Sequence, residues 1–506
     1  MTGTPRFLQL LAPSRIADLL LLFVLAAFIL AGKDLAPFQG DESTFIRMSR
    51  DYKYLKEGNL ERLLYRPHPE EGGMEQKIRL TTGSFNSFAI GLARDLAGLS
   101  SQPVNGFWLW DYAPERGEEM WEVNIQRGRM PDPESLRVSR IPSTVLGAAT
   151  LFLFFLSARL LTQSRLAAWI GTVALGTSPL FLIHVRRAMQ EGSKLFFLCL
   201  CLAIAARITR APNKIGYLLL GIAGGITLAC KQDVAMALAG IYTGLTLLPF
   251  PDKRNLIKNL LLVTASTCVA LACFLALMPV WWGWWPTMIL LAGLALLLFQ
   301  ASPGEPGTRR TVALLIPLGV IAGSTLLSPG VWMRSAEPIQ LMIKARGNVM
   351  AAQIDYRVRN HLPYLDTPGR RLTYLARTMF SSGSMDRDSP RFNVPTREQR
   401  RVYEASWLSG RHGWMIIDVL VAALFAFGLW KTIRHPDHGG LLLLPMLVIS
   451  AVILLLTTPL AFDRYFLVLQ IPYTLLAGIG AQWGWTVAKS RWIRKDSAGR
   501  NGFSSP

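Results

Sequence analysis

Charge is scarce in this chain. Only 17% of its 506 residues are Asp, Glu, Lys or Arg, where a soluble protein carries roughly 25%. That deficit points away from a water-soluble globule and toward a membrane. Acidic residues are scarcer than basic ones, 33 against 53, which leaves a formal net charge of +20. The six histidines are scattered too widely to suggest a metal site by spacing. The five cysteines (Cys199, Cys201, Cys230, Cys268 and Cys273) all fall inside or at the ends of apolar runs. No disulfide framework or zinc spacing can be built from them, and they read as small hydrophobes. The chain also lacks an RNA-binding aromatic motif and a basic helix outside the apolar pattern, so its positive charge does not indicate nucleic acid.

What fills the chain instead is apolar sequence. Hydrophobic residues make up 51% of it, and its mean hydropathy is +0.31. Nearly charge-free runs cover residues 16–32, 141–161, 166–183, 195–208, 215–229, 234–248, 256–278, 281–299, 312–327, 414–430, 441–456 and 465–487. A bilayer core roughly 30 Å thick requires runs of this kind, so about twelve spans are expected, with the shorter runs candidates for re-entrant segments. The first run is longer than a signal-peptide core and has no convincing small-residue cleavage site, so it reads as a retained span.

Orientation follows from the loops. Arg159 with Arg165, Arg207 with Arg210 and Lys214, Lys253 with Arg254 and Lys258, Arg309 with Arg310, and Lys431 with Arg434 alternate with cation-poor loops. The tail adds Lys489, Arg491, Arg494 and Lys495. This positive-inside pattern places both termini in the cytoplasm for an even span count. Residues 33–139 and 328–412 then form two long segments on the outer face. Within the first, Phe85, Phe88, Leu92, Leu96 and Leu99, with Arg94 and Asp95 turned away, predict an amphipathic helix on the membrane surface. Trp281, Trp282, Trp284 and Trp285 read as an interfacial aromatic belt rather than a sugar-stacking platform.

The informative residues are outer-face charges that a topology rule does not explain. Arg186, Arg187, Lys231 and Arg464 each stand at or near the outer end of an apolar run, at the level of Asp41, Glu42, Glu191, Asp233 and Asp463. Any one of them could be an ordinary helix-end ion pair. As a set they converge from spans far apart in sequence, and ionisable groups so close to hydrocarbon usually face a protein-lined or water-filled cavity. Cations beside carboxylates suit an anionic ligand plus an acid–base step.

The order of these features resembles the lipid-linked-sugar glycosyltransferases of the GT-C fold, and within them glycosyltransferase family 39, the protein O-mannosyltransferase and aminoarabinose-transferase branch. The pieces that carry the likeness are GDESTF after the first span, TTGSFNSFAIGLARDLAGL before the second, SRIPSTVLGAATLFLFFLSARLL, TSPLFLIHVRRAMQEGSKLFF, GGITLACKQDVAMAL and DRYFLVLQIPYTLL. The family's usual His-Pro-Pro element is missing, and residues 250–460 carry no matching motif.

The resemblance implies an all-α, multi-span GT-C-type bundle in a plasma or inner membrane, with its active site facing the exterior or periplasm. A catalytic module would cover 1–327, an outer segment 328–412, C-terminal spans 413–488 and a basic cytoplasmic tail 489–506. It implies a polyprenyl-phosphate-linked sugar as donor and a protein, lipid or polysaccharide as acceptor, with inversion at the anomeric carbon. Asp41 takes the position of the catalytic base, with Glu42 beside it as the orienting carboxylate. Glu191 matches a second acidic position, and Arg186 or Arg187, Lys231 and Arg464 match positions near the donor phosphate. Metal stays open: Asp41, Glu42, His68, Glu70 and Glu71 could supply ligands, though HPEEGG also suits a solvated loop. The competing reading is a secondary transporter of a small anionic solute. Against it stand the lack of a visible repeat and charges gathered at one interface rather than the midplane. A non-catalytic scaffold is a third reading.

Overall fold

The structure is a computed structural model that describes residues 13–67, 72–109, 117–249, 252–301, 329–359, 364–380, 394–411, 414–458 and 463–501. The expected span at 312–327, and His68, Glu70 and Glu71, lie outside these residues. The described residues form helices joined by turns and loops, with no strand among them.

Helix α1 (Pro13–Ala31) leads to a set of short helices: α2 (Gly40–Met48), α3 (Arg50–Lys56), α4 (Gly73–Thr81), α5 (Phe85–Leu96), α6 (Gly117–Gln126) and α7 (Pro133–Ser139). The bundle continues with α8 (Ile141–Thr162), α9 (Arg165–Gly176), α10 (Pro179–Val185), α11 (Glu191–Ile208), α12 (Lys214–Cys230), α13 (Ala235–Thr246), α14 (Lys253–Leu277) and α15 (Trp285–Ala301). Then come α16 (Pro329–Arg359), α17 (Pro368–Phe380), α18 (Val394–Ala405), α19 (Met415–Arg434), α20 (His438–Thr457) and α21 (Gln470–Asn501).

Among the described residues, five stretches are long and apolar enough to cross a membrane: Pro133–Thr162, Lys253–Leu277, Met415–Arg434, His438–Thr457 and Asp463–Ser490. A sixth arises if α9 and α10, which meet at a 61° bend, count as one broken span. Of the twelve expected runs, one lies outside the described residues and several are broken or short as helices. Ser178-Pro179 interrupts the 166–183 run, because a residue before proline leaves the helical region and Ser178 sits at ψ 121°. The runs at 215–229 and 234–248 give helices of 17 and 12 residues. At the C-terminus, α21 runs past residue 488 to Asn501, so the tail boundary expected there falls inside a helix.

The surface is that of a lipid-facing bundle. On α1, Leu20, Phe23 and Val24 are about 60% exposed, and on α19 Ile416 reaches 83%. Apolar side chains pointing outward at such density fit hydrocarbon as solvent. Inside, α8 packs on α1, α9 and α11, α12 joins α11 to α14, and α21 lies between α9 and α19. All five cysteines are free thiols. At one end of the bundle Ser164, Asn213, Asp252 and Asp437 cap α9, α12, α14 and α20 by accepting from backbone N–H groups at 2.7–3.2 Å. The opposite end carries α2–α7 and the conspicuous charges.

Two expectations change in detail. Helix α5 is amphipathic with its polar face turned into the protein: Asn86, Ser87 and Arg94 are buried, while Leu92 and Leu96 are 45% and 80% exposed. Arg94 donates to Ser135 Oγ and to the Leu99 carbonyl, and Leu99 is buried rather than part of the exposed stripe. Of the tryptophan cluster, Trp281 is packed in a core with Leu80, Ala229 and Met278.

Close helix contacts rest on small residues, which lipid-embedded bundles favour because backbones can approach. A Cβ on Gly480 would lie 1.9 Å from the Leu424 carbonyl oxygen, whereas one on Gly484, a turn later, would meet nothing within 4 Å. Gly480→Val should therefore cost at least the 1–3 kcal/mol typical of overpacking, about, and Gly484→Val almost nothing. Thermal unfolding of the two variants in detergent should separate them by several degrees, and equal midpoints would contradict the α19–α21 contact.

Candidate active site

The local sequence gives Asp41 and Glu42 different surroundings. Gln39 starts α2: its side chain accepts from the Asp41 N–H at 2.7 Å, and Glu42 Oε2 accepts from the Gln39 N–H at 3.0 Å. This reciprocal cap fixes the first turn. It also turns Glu42 inward, where Arg140 donates to Oε1 at 2.8 Å and to Oε2 at 2.9 Å, and the Ala188 N–H donates to Oε1 at 2.8 Å. The Glu42 side chain is 0% exposed, with both oxygens taken. Asp41, on the neighbouring face of α2, is 21% exposed and pairs with Arg464 Nη1. Of the two adjacent carboxylates, Asp41 is thus the one a ligand can reach.

Arg464 sits in the 3₁₀ turn Asp463–Leu469 that precedes α21, held beside Tyr374 of α17, whose hydroxyl contacts Asp463 Oδ1. Arg464 also lies within electrostatic reach of Glu191, which joins the Asp41 pair to a second group of charges. Glu191 opens α11 and Lys194 stands one turn on, while Lys231 and Asp233 occupy the break between α12 and α13. Lys231 Nζ is 2.7 Å from Glu191 Oε1, and Lys194 Nζ is 3.0 Å from Asp233 Oδ2. His184 on α10 is within electrostatic reach of Arg187, Glu191, Lys194 and Arg464.

The structure therefore brings together Asp41, Arg464, Glu191 and Lys231, with Arg187 nearby. Arg187 is buried, and its Nε donates to the Pro37 carbonyl at 3.1 Å, bracing the loop before α2. Arg186 points elsewhere. It is fully buried and donates to the Ile29 carbonyl at 2.9 Å, the Phe28 carbonyl at 2.7 Å, the Tyr403 hydroxyl at 2.9 Å and the Leu408 carbonyl. It ties the end of α1 to the segment after α18, and four of its five N–H groups are spent on that fastening. Between the two arginines, Arg187 is the one on the side of the charged group.

Three residues were missed. Arg140 is the partner of Glu42, His184 faces the charged group, and Lys194 completes it. Lys194 carried a signal: a lysine in an apolar run, three residues after Glu191, must share that residue's helix face. Among the described residues no three His, Cys, Asp or Glu side chains are grouped to hold a metal ion. With Glu42 bound by Arg140 and Asp41 facing Arg464, the described donor set does not fit a divalent cation.

Glu42→Gln leaves the Arg140 guanidinium buried without its counter-charge, a change that typically costs about 3–5 kcal/mol. Asp41→Asn, at a pair one-fifth exposed on each side, should cost less than that. Thermal unfolding in detergent should show a larger loss for the first than for the second. Similar losses in both would contradict the division of roles between the two carboxylates.

A scan against protein-family models and a search of curated proteins give no match. Among solved structures, the chain is similar to the archaeal oligosaccharyltransferase AglB from Archaeoglobus fulgidus in complex with an inhibitory peptide and a dolichol-phosphate. The TM-score is 0.46 at 12% identity, over 96% of this chain and 52% of that one. The Archaeoglobus fulgidus oligosaccharyltransferase in the apo form gives 0.45 at 13% identity, over 91% and 50%. ArnT from Cupriavidus metallidurans bound to undecaprenyl phosphate gives 0.34 at 12% identity, over 92% and 77%. This chain spans about half the length of the two oligosaccharyltransferase chains. Likeness at these scores carries no inference about activity.

Proposed function

We propose that the chain is a membrane glycosyltransferase of the GT-C type, similar to glycosyltransferase family 39. It moves a sugar from a polyprenyl-phosphate donor to an acceptor hydroxyl on the outer face of the membrane. The observation that carries the reading is the Asp41–Arg464 pair. A partly exposed carboxylate and a guanidinium, contributed from opposite ends of the chain, meet at the charged end of a lipid-facing bundle. The ordered sequence motifs between residues 40 and 238, and again at 463–476, support the same reading.

The roles follow from charge. Arg464 is the cation positioned for the donor phosphate. A phosphate that reaches Arg464 competes with Asp41 for the guanidinium and releases the carboxylate toward the acceptor. Asp41 then takes the proton of the acceptor hydroxyl as its oxygen attacks the anomeric carbon. The bond from that carbon to the phosphate oxygen breaks, and its electron pair stays with the polyprenyl phosphate. Arg464 stabilises the charge that grows there. One displacement on the face opposite the leaving group inverts the anomeric centre. Glu42 and Arg140 fix α2 so that Asp41 is pre-aimed.

Asp41→Asn should lower turnover by roughly 10²–10⁴-fold, the usual value of a general base, with the protein still folded. Transfer of radiolabelled sugar from polyprenyl-phosphate donors by the purified protein is the measurement. Near-normal transfer by the variant would remove Asp41 from the mechanism. Uptake of an intact solute into vesicles, with no bond broken, would favour a transporter.

A further inference from the structure

Beside the Asp41–Arg464 pair, four ionisable side chains close a ring. Lys231 Nζ lies 2.7 Å from Glu191 Oε1 and 3.5 Å from Asp233 Oδ2. Lys194 Nζ lies 3.0 Å from Asp233 Oδ2 and 4.0 Å from Glu191 Oε1. Both ammonium groups gather on the same two oxygens. The other oxygen of each carboxylate, Glu191 Oε2 and Asp233 Oδ1, is buried with no hydrogen-bond partner in the protein, as is His184 Nδ1. Glu191 is only 1% exposed. Leaving a buried acceptor unsatisfied costs about 1–3 kcal/mol, more when it is charged, so these atoms call for a donor from outside the chain.

A donor phosphodiester does not meet that need, because it brings acceptor oxygens and a negative charge. Nor does the ring attract one: two ammonium and two carboxylate groups sum to zero. A sugar brings hydroxyl donors at fixed angles and no charge, which suits two carboxylate oxygens. We infer that the Glu191–Asp233 edge of the ring is a sugar subsite whose free carboxylate oxygens accept from sugar hydroxyl groups. Lys194 and Lys231 anchor the two carboxylates and do not hold the phosphate. This rests on the glycosyltransferase reading and deepens it: the phosphate belongs to Arg464 and the sugar to the ring. It also moves Lys231 from the phosphate role that the sequence resemblance implied. The hydroxyls could belong to the donor sugar or to a carbohydrate acceptor, and the two sources bind differently in the test.

The full-length protein in detergent is titrated calorimetrically with undecaprenyl phosphate, bare or carrying glucose, mannose or an aminopentose, and with the methyl glycosides of those sugars. Glu191→Gln and Asp233→Asn should weaken binding of the best sugar-bearing lipid by about tenfold to a hundredfold, the worth of one hydrogen bond to a charged group. Binding of the bare lipid should stay unchanged. Because Glu191→Gln strands an ammonium, the neutral double variant Glu191→Gln/Lys231→Gln is the second arm, and it should also keep bare-lipid affinity. Loss of bare-lipid binding in the double variant would return Lys231 to the phosphate and overturn the inference. Unchanged sugar-lipid binding in both single variants would overturn it too, and would assign only water to the ring. A methyl glycoside that competes with the sugar-bearing lipid marks a donor-sugar subsite, and one that binds alongside it marks an acceptor subsite. Wild-type protein that binds bare lipid, gains nothing from an attached sugar and ignores the glycosides sinks the subsite alone. Glycoside binding lost in Glu191→Gln, without binding of any lipid, sinks the polyprenyl donor and supports the subsite.

Discussion

The buried pair between Glu42 and Arg140 is the interaction on which the charged end of the bundle depends. It joins the first turn of α2 to the start of α8, and through the Ala188 N–H it reaches the turn between α10 and α11. Arg140 also donates to the Lys33 carbonyl at the exit from α1. Three chain segments are therefore referenced to one carboxylate. In low dielectric such a pair is worth having only when the remaining lone pairs and protons are also satisfied, and here both Glu42 oxygens are bonded. Because α2 is clamped through its second acidic residue, the first one is left facing Arg464.

Much of this arrangement was legible in the sequence, and the limits of legibility are physical. The membrane class follows from charge scarcity and run length. The convergence of charges follows from their repeated position at one end of the runs. Helix period could state that Asp41 and Glu42 diverge, but not which turns inward, because that choice is made by Arg140, 98 residues away. Arg186 and Arg187 are adjacent and chemically identical. Only the carbonyls of Phe28 and Ile29 and the hydroxyl of Tyr403 decide that Arg186 is a fastening of the scaffold. The bend at Ser178-Pro179 was readable from the proline, but the uninterrupted apolar pattern around it masked the break. The amphipathic period of α5 was plain. Which face meets protein was not, since burying Arg94 requires Ser135 and the Leu99 carbonyl to receive it.

The site also illustrates how a membrane protein can concentrate ions without a net field. Opposite charges are interleaved on helix ends and breaks, where backbone groups are already unpaired and irregular geometry costs least. The 3₁₀ turns at Gln232–Val234 and Asp463–Leu469 carry Asp233 and Arg464 at breaks in the helical pattern.

The distance along the chain between Asp41 and Arg464, 423 residues, has a consequence for synthesis. A ribosome that threads this chain into a bilayer releases Asp41 long before its partner exists. Glu42 acquires Arg140 as the α8 segment is laid down, so the scaffold around α2 closes early. The carboxylate beside it waits for the 3₁₀ turn that precedes α21. A chain arrested before that turn would hold the Glu42–Arg140 pair without the Arg464 side of the neighbouring contact. The Asp41–Arg464 contact thus forms later in synthesis than the Glu42–Arg140 pair beside it.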